Sequence, residues 1–295
     1  MMKIRILGKD LKVSAVGLGC MGMTHASGAP ADVKEMTELV GQALKHYRDK
    51  IVLATKCGVQ HKGDHLEMDS RPETIRKSVE GSLKKLQTDH IDLYYQHRID
   101  PKVEPEEVAG AMSELIKEGK ILHWGISEVD EEYLRRAHKV CPVTAIQNRL
   151  SMMYRDYEKL FPVLEELQVG FVAFSPLANG FLTACYKDTS QFEQSPADFR
   201  SSMPQFTKEG VEQNADLLEL IQTKAKEKDA TPAQISLAWM LAKRPYIVPI
   251  PGSRTLSRLQ ENLGAAEIVL TKEEVAQIDD ALDHMTMSQV FGGHR

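Results

Sequence analysis

Cysteine is scarce in this chain. Its 295 residues hold four, Cys20, Cys57, Cys141 and Cys185, with no Cys-x-x-Cys pair. Neither a disulfide framework nor a zinc site is expected from that spacing, and the thiols read as reduced, half-buried and non-catalytic. Charge of one sign is also lacking, since 37 basic residues face 42 acidic ones for a net charge of -5. Binding to nucleic acid through bulk charge is therefore excluded. No apolar run reaches the 18 residues of a membrane span, and Met1-Met2-Lys3-Ile4-Arg5 lacks the apolar core of a secretory signal. The expected location is cytoplasmic, with no membrane partner. A linker or low-complexity run is absent too, so residues 1–295 are expected to form one domain, a length that suits a single α/β barrel of roughly 250 residues.

The last absence concerns phosphate binding. No Gly-x-Gly-x-x-Gly opens a helix after the first strand, and the nearest approach, Gly17-Leu18-Gly19-Cys20-Met21-Gly22, runs into loop chemistry over 24–30. This argues against a doubly wound dinucleotide fold.

What is present is a succession of short apolar runs, at 15–19, 51–55, 91–96, 121–126, 144–147, 170–174 and 247–250. They are too short for helices and do not alternate with polar residues, as expected of strands buried on both faces of a parallel sheet. Amphipathic helices separate them. Ser70-Arg71-Pro72-Glu73 reads as a capping box before Ile75, Val79, Leu83 and Leu86. Pro105-Glu106-Glu107 opens a helix carrying Val108, Met112, Leu115 and Ile116 and ending at Gly119, and Thr231-Pro232-Ala233 opens another with Ile235, Leu237, Ala238 and Leu241. A further helix is expected from Ala31 to about His46, with Val33, Met36, Val40, Ala43, Leu44 and Tyr47 on one face. Ile4–Leu7 and Leu11–Ser14 flank Gly8-Lys9-Asp10 as a hairpin laid before the first barrel strand. The pattern predicts a (β/α)8 barrel, yet only seven parallel strands can be counted where closure needs eight.

In such a barrel the chemistry sits at the carboxyl ends of the strands. Those ends are polar here: Lys56, then His97, then Ser127-Glu128, then Gln147-Asn148, then Phe174-Ser175. A lysine ending a buried strand needs a carboxylate partner or a task, although a side chain reaching into solvent is the plain alternative. His97 taken alone could equally be structural. After the last strand, Gly252-Ser253-Arg254 runs into a helix bearing Arg258, Glu261 and Asn262. Backbone N–H groups, a hydroxyl and two guanidiniums at a helix start suit a phosphate, and Arg254 and Arg258, read as one helical turn apart, could clamp it.

Together with the stretch Ser82-Leu83-Lys84-Lys85-Leu86-Gln87-Thr88-Asp89-His90-Ile91-Asp92-Leu93, the segment 119–128, Phe174-Ser175-Pro176-Leu177 and Ile250-Pro251-Gly252-Ser253-Arg254, these residues resemble the aldo-keto reductase family over nearly the whole chain. The resemblance implies a (β/α)8 barrel that reduces aldehydes or ketones, small-molecule carbonyl substrates, with NADPH. It implies that Lys56 and His97 are catalytic residues. It further implies that Ser127 and Gln147 hold the nicotinamide carboxamide, that Phe174 stacks on its ring, and that Ser175, Leu177 and Gly180 belong to a pyrophosphate loop. Gly252, Ser253, Arg254 and Arg258 match a 2′-phosphate site, and Glu261 and Asn262 match the adenine site.

The chain departs from that family at one place. The Asp and Tyr of the four-residue catalytic set belong on strand two, in a Phe-Asp-Thr-Ala…Tyr-Gly pattern that this sequence does not contain. The strand count and the resemblance point to the same gap, near Leu39–Val40, where roughly 25–30 residues of one βα unit are missing. Either the protein is truly shortened there or the sequence omits residues of its natural form. Carbonyl reduction is expected to be impaired, and Tyr47, Tyr94 and Tyr95 are phenols near the site but not at the family position. A non-catalytic NADPH-binding sensor or regulatory protein is the alternative function. A barrel lyase using a Schiff base on Lys56 is a second. Ala178 and Ala184 stand where relatives have Gly, and Met152 and Met153 suit either an adaptable pocket or the core.

Overall fold

A computed structural model of the chain describes residues 3–21, 41, 43–62, 65–186, 189–192 and 198–290. The expected helix segment 31–40 and the loop 24–30 lie outside the described residues.

The chain begins with the hairpin expected from sequence, β1 (Ile4–Leu7) paired antiparallel with β2 (Leu11–Ser14). Gly8 turns it at φ +61°, and a Cβ there would come within 2.9 Å of Thr144. Leu7, Leu11 and Val13 point the same way under the period-two alternation and bury against Leu93, Tyr95, Ala145, Val172 and Val248. The hairpin therefore plugs the amino-terminal end of the barrel.

The parallel sheet has the order β10-β9-β8-β7-β6-β3, with β3 at Ala54–Cys57, β6 at Ile91–Gln96, β7 at Ile121–Ser127, β8 at Ala145–Arg149, β9 at Gly170–Phe174 and β10 at Ile247–Pro249. Residues 15–19 run along the free edge of β10: Gly17 N donates to Pro249 O at 3.0 Å, Gly19 N donates to Pro251 O at 3.1 Å, and Gly19 and Gly252 form a parallel bridge. This is the first barrel strand, and it brings the parallel strands to seven. Among the described residues no strand lies between it and the outer edge of β3. The architecture is an α/β barrel of the expected type.

Helices cover the outside. In α1 (Pro72–Leu86), α2 (Pro105–Lys117) and α3 (Glu131–Val140) the apolar stripe faces the sheet, and in α2 Val108, Met112 and Leu115 are fully buried. Burying each such side chain contributes about 1.5–3 kcal/mol. Gly119 ends α2 at φ +72°, where Lys120 N donates to Leu115 O. Then follow α4 (Phe161–Leu167), α5 (Lys208–Gln213), α6 (Ala215–Glu227), α7 (Pro232–Lys243), α8 (Leu256–Gly264) and α9 (Lys272–His284). Thr231 caps α7 reciprocally with Gln234.

Several expectations are corrected. Ser70 does not cap α1: the N-cap is Arg71, without a side-chain bond, because Ser70 is buried and its hydroxyl accepts from Gln96 Nε2 while its N–H donates to Asp100. The strand expected at 51–55 starts three residues later, because Leu53 N bonds the Asp92 carboxylate instead of a neighbouring strand. Tyr47 lies in a 3-10 turn, Lys45–Lys50, 57% exposed rather than on a buried face. A second hairpin, β4 (Val59–Lys62) with β5 (His65–Met68), was not anticipated. Its signal, Gly63-Asp64 between two four-residue runs, is present but the runs are polar. Met152 and Met153 are buried in the main core, so the core reading holds.

Candidate active site

Sheet register gathers the strand ends at one level. Lys56 pairs with Tyr95 across β3 and β6, Ser127 with Gln147 across β7 and β8, and Arg149 with Phe174 across β8 and β9. His97 N donates to Cys57 O at 2.8 Å, which holds the His97 backbone beside the end of β3. Lys56, His97, Ser127, Gln147 and Phe174 thus share the carboxyl rim.

Burial and two cations set the electrostatics. Desolvation, helped by Arg98 and opposed by the nearby Cys20 thiol, pulls the Lys56 ammonium down to about 8. Desolvation, then Lys56 and Arg98, lowers His97 to about 3, so its imidazole is neutral across the physiological range. Arg98 was not singled out from sequence, although it directly follows His97. Its Nη1 donates to His97 O at 2.8 Å and to Ser127 Oγ at 3.3 Å, linking two strand ends.

Not every rim residue faces chemistry. Asn148 is buried, with Nδ2 donating to Val129 O at 3.1 Å and Oδ1 accepting from Val129 N at 3.3 Å, which ties down the loop after β7. Tyr94 lies in the outer core and Tyr95 in the barrel interior beside Gln147, and desolvation raises both phenols. Both phenols are fully buried, and Tyr95 stays close to the site, paired in register with Lys56.

After β9 the chain makes a run of left-handed residues: Ser175 at φ +49°, Ala178 at +47°, Asn179 at +60°, Gly180 at +99° and Ala184 at +55°. Two of the strained positions are alanines, the residues noted as replacing glycine. The loop reaches the last βα unit, where Arg258 Nη2 donates to Cys185 Sγ at 3.7 Å and Arg258 Nη1 to Glu261 at 2.7 Å. Thr255 caps α8, whose first turn holds no acidic residue, and Asn262 Nδ2 donates to Ser253 Oγ at 3.1 Å. Arg254 precedes the cap, so the expected one-turn spacing of Arg254 and Arg258 on a shared helix is not realised. Gly252 is held beside Gly19, where a Cβ on Gly19 would come within 2.6 Å of Ile250 O. Among the described residues there is no cluster that could hold a metal ion and no helix long and apolar enough to cross a membrane. A cavity of about 610 Å³ lined by Lys3, Arg5, Ile6, Leu241 and Tyr246 opens at the opposite end of the strands. Arg5 there satisfies carbonyls at the end of α7, a structural task.

The model of the Aldo/keto reductase family matches residues 33–283. The chain belongs to the aldo-keto reductase family. It is 34% identical over 322 residues to Probable aldo-keto reductase 1 of Glycine max, covering 98% of this chain and 90% of that one. It is 41% identical over 247 residues to an aldo-keto reductase of Strobilurus tenacellus, covering 82% and 72%. The fold superposes on a glycerol dehydrogenase from Gluconobacter oxydans with a TM-score of 0.85 at 26% identity, over 99% of this chain and 98% of the other. It also superposes on a thermostable aldo-keto reductase in complex with the inhibitor epalrestat, with a TM-score of 0.74 at 26% identity, over 95% and 100%. As an aldo-keto reductase the chain is an oxidoreductase of a family that reduces carbonyl compounds with a nicotinamide cofactor.

The rim fits such a cofactor. At one end are Ser127, Gln147 and the aromatic face of Phe174. At the other is the start of α8, with Ser253 and Arg254 just before it and Arg258, ion-paired to Glu261, in its first turn.

Proposed function

We propose that the chain acts as one barrel domain that binds NADPH along its carboxyl rim and reduces aldehydes or ketones only weakly. Bound there, the cofactor supplies a hydride. Ser127 and Gln147 hold the carboxamide, Phe174 stacks on the ring, and the 175–180 loop, with Ser175, Leu177 and Gly180, lies along the pyrophosphate. Gly252 keeps the backbone close, Ser253, Arg254 and Arg258 hold the 2′-phosphate, and Glu261 and Asn262 lie at the adenine. His97, neutral and wedged between Lys56 and Arg98, donates a hydrogen bond that orients the substrate carbonyl.

The observation that carries the preference for NADPH is the placing of two arginines at a helix start, Arg254 before the α8 cap and Arg258, ion-paired to Glu261, within its first turn. A guanidinium on a phosphate is a charge-assisted contact that NADH cannot make. Weak turnover is supported by the absence of the Phe-Asp-Thr-Ala…Tyr-Gly pattern from the sequence and by the burial of Tyr94 and Tyr95. The alignment with the Glycine max relative, at 322 residues, is longer than this 295-residue chain, as it must be if the relative carries a segment absent here. The alternative, a sensor that binds NADPH without turnover, rests on the same missing pattern.

Calorimetric titration with NADPH and NADH, paired with NADPH oxidation in the presence of 4-nitrobenzaldehyde, tests the proposal. NADPH should bind at least about tenfold more tightly than NADH, a difference of about 1.4 kcal/mol. Equal affinities would remove the phosphate site from the account, and rapid oxidation would remove the impairment.

A further inference from the structure

The molecule treats two poorly exposed lysines in opposite ways. Lys243 is nearly buried and fully engaged: its Nζ donates to Glu158 and to Asp279, at 2.8 and 2.9 Å, and lies over the Trp239 ring. That is how a structural lysine is held. Lys56, at the end of β3, has none of this. Among the described residues its Nζ makes no hydrogen bond and no ion pair. The charged or ionisable groups acting on it are the Arg98 guanidinium, which repels its ammonium, and the Cys20 thiol. Cys20 is itself exposed, so solutes reach this part of the rim.

A half-buried amine with a cation for a neighbour and no carboxylate is disfavoured as ammonium and available as a nucleophile. We propose that Lys56 is a covalent carbonyl site, whose amine condenses with small aldehydes to an imine independently of any cofactor. The Nζ lone pair forms a bond to the aldehyde carbon as the C=O π pair moves to oxygen. The nitrogen sheds a proton, which reaches the carbinolamine oxygen through solvent. Solvent then protonates the carbinolamine hydroxyl, the nitrogen lone pair forms C=N as the C–O bond breaks and water leaves, and the iminium returns its N–H proton to solvent as the imine. No atom is oxidised or reduced, and no co-reactant is required. His97, neutral beside Lys56, adds no positive charge against the developing iminium.

The step stands apart from the proposed reduction, because neither NADPH nor a phenol enters it. The two readings can fail separately.

The test uses the full chain without cofactor, a single equivalent of propanal and sodium cyanoborohydride, which reduces the iminium to a stable secondary amine. Peptide mass mapping follows the rate of labelling at each lysine. An amine titrating near 8 is free base at neutral pH to an extent on the order of a hundredfold above an ordinary lysine, so Lys56 should be labelled on that order faster than exposed Lys272. Its rate should fall as pH drops below about 8. Labelling of Lys56 no faster than Lys272 would overturn the proposal. In Lys56→Arg, checked by its thermal melt, the fast label should vanish; its persistence on another residue would also overturn the assignment. Should that variant not fold, the site-resolved rates in the unaltered chain decide alone.

Discussion

On one side of the barrel, β6, β7, β8 and β9 are hydrogen-bonded along both edges and carry mostly buried residues. On the other, β3 has one bonded neighbour among the described residues, and only Cys57 of its four residues is buried. The first barrel strand shows the same contrast along its length. Ala15 and Val16 are buried where β10 flanks them, but Leu18 is 42% exposed and Met21 62% exposed toward the rim. A strand of a parallel barrel is buried only when both edges and both faces are covered. The strands bonded on both edges carry the residues proposed to hold the cofactor, while β3, with one bonded neighbour among the described residues, carries Lys56. Binding and chemistry are therefore expected to part company in this protein.

The largest expected effect sets the two sides directly against each other. A positioned general acid contributes typically 10²- to 10⁴-fold, so NADPH oxidation with 4-nitrobenzaldehyde should run about that far below a family member with the full set. Cofactor affinity should be retained, and calorimetry on the same sample checks this. Next comes packing. Adding a methyl group at Gly125 on β7 would bring it within 2.5 Å of the Tyr95 ring, so Gly125→Ala should cost roughly 1–3 kcal/mol in a urea melt. Ala54→Ser, on exposed β3, should stay within about 0.5 kcal/mol. Comparable losses at the two positions would mean that β3 is covered after all.

Among the residues proposed to hold the cofactor, Arg258→Ala should weaken NADPH by about 1.5–3 kcal/mol and leave NADH nearly unchanged, as isothermal titration would show. An equal loss for both would place Arg258 elsewhere than at the 2′-phosphate. The smallest effect concerns the strained loop between the two halves of the proposed cofactor site. Ala184 sits at φ +55°, and relieving a left-handed alanine recovers about 1 kcal/mol, part of which glycine forfeits to chain entropy. Ala184→Gly should raise stability by about 0.5 kcal/mol in thermal melts.

Much of the architecture was legible because it rests on local patterns. The hairpin Ile4–Leu7 with Leu11–Ser14, β6, β9 and the starts of α2 and α7 lie where alternation, apolar runs, proline and capping residues indicate. Among the described residues, the six-stranded sheet and its flanking strand give the seven parallel strands counted from sequence. Ser70 misled because its environment comes from afar: Gln96 and Asp100 take up its polar groups, and nothing in Ser70-Arg71-Pro72-Glu73 announces them. The β4–β5 hairpin was missed because its polar runs carry no burial signal.

For the site, sequence alone determined which strand ends carry polar groups and that the Asp and Tyr pattern is absent, since these depend on residue identity and order. Tertiary structure decided which of those groups meet. It turned Asn148 into a loop tether, buried Tyr94 and Tyr95, and drew Arg98 to Ser127. It also left Lys56 without a hydrogen bond or ion pair among the described residues, where Lys243 found two partners. The reason is physical: charge state and hydrogen bonding are set by neighbours brought together through sheet register and chain closure, and no local stretch of sequence encodes its own surroundings.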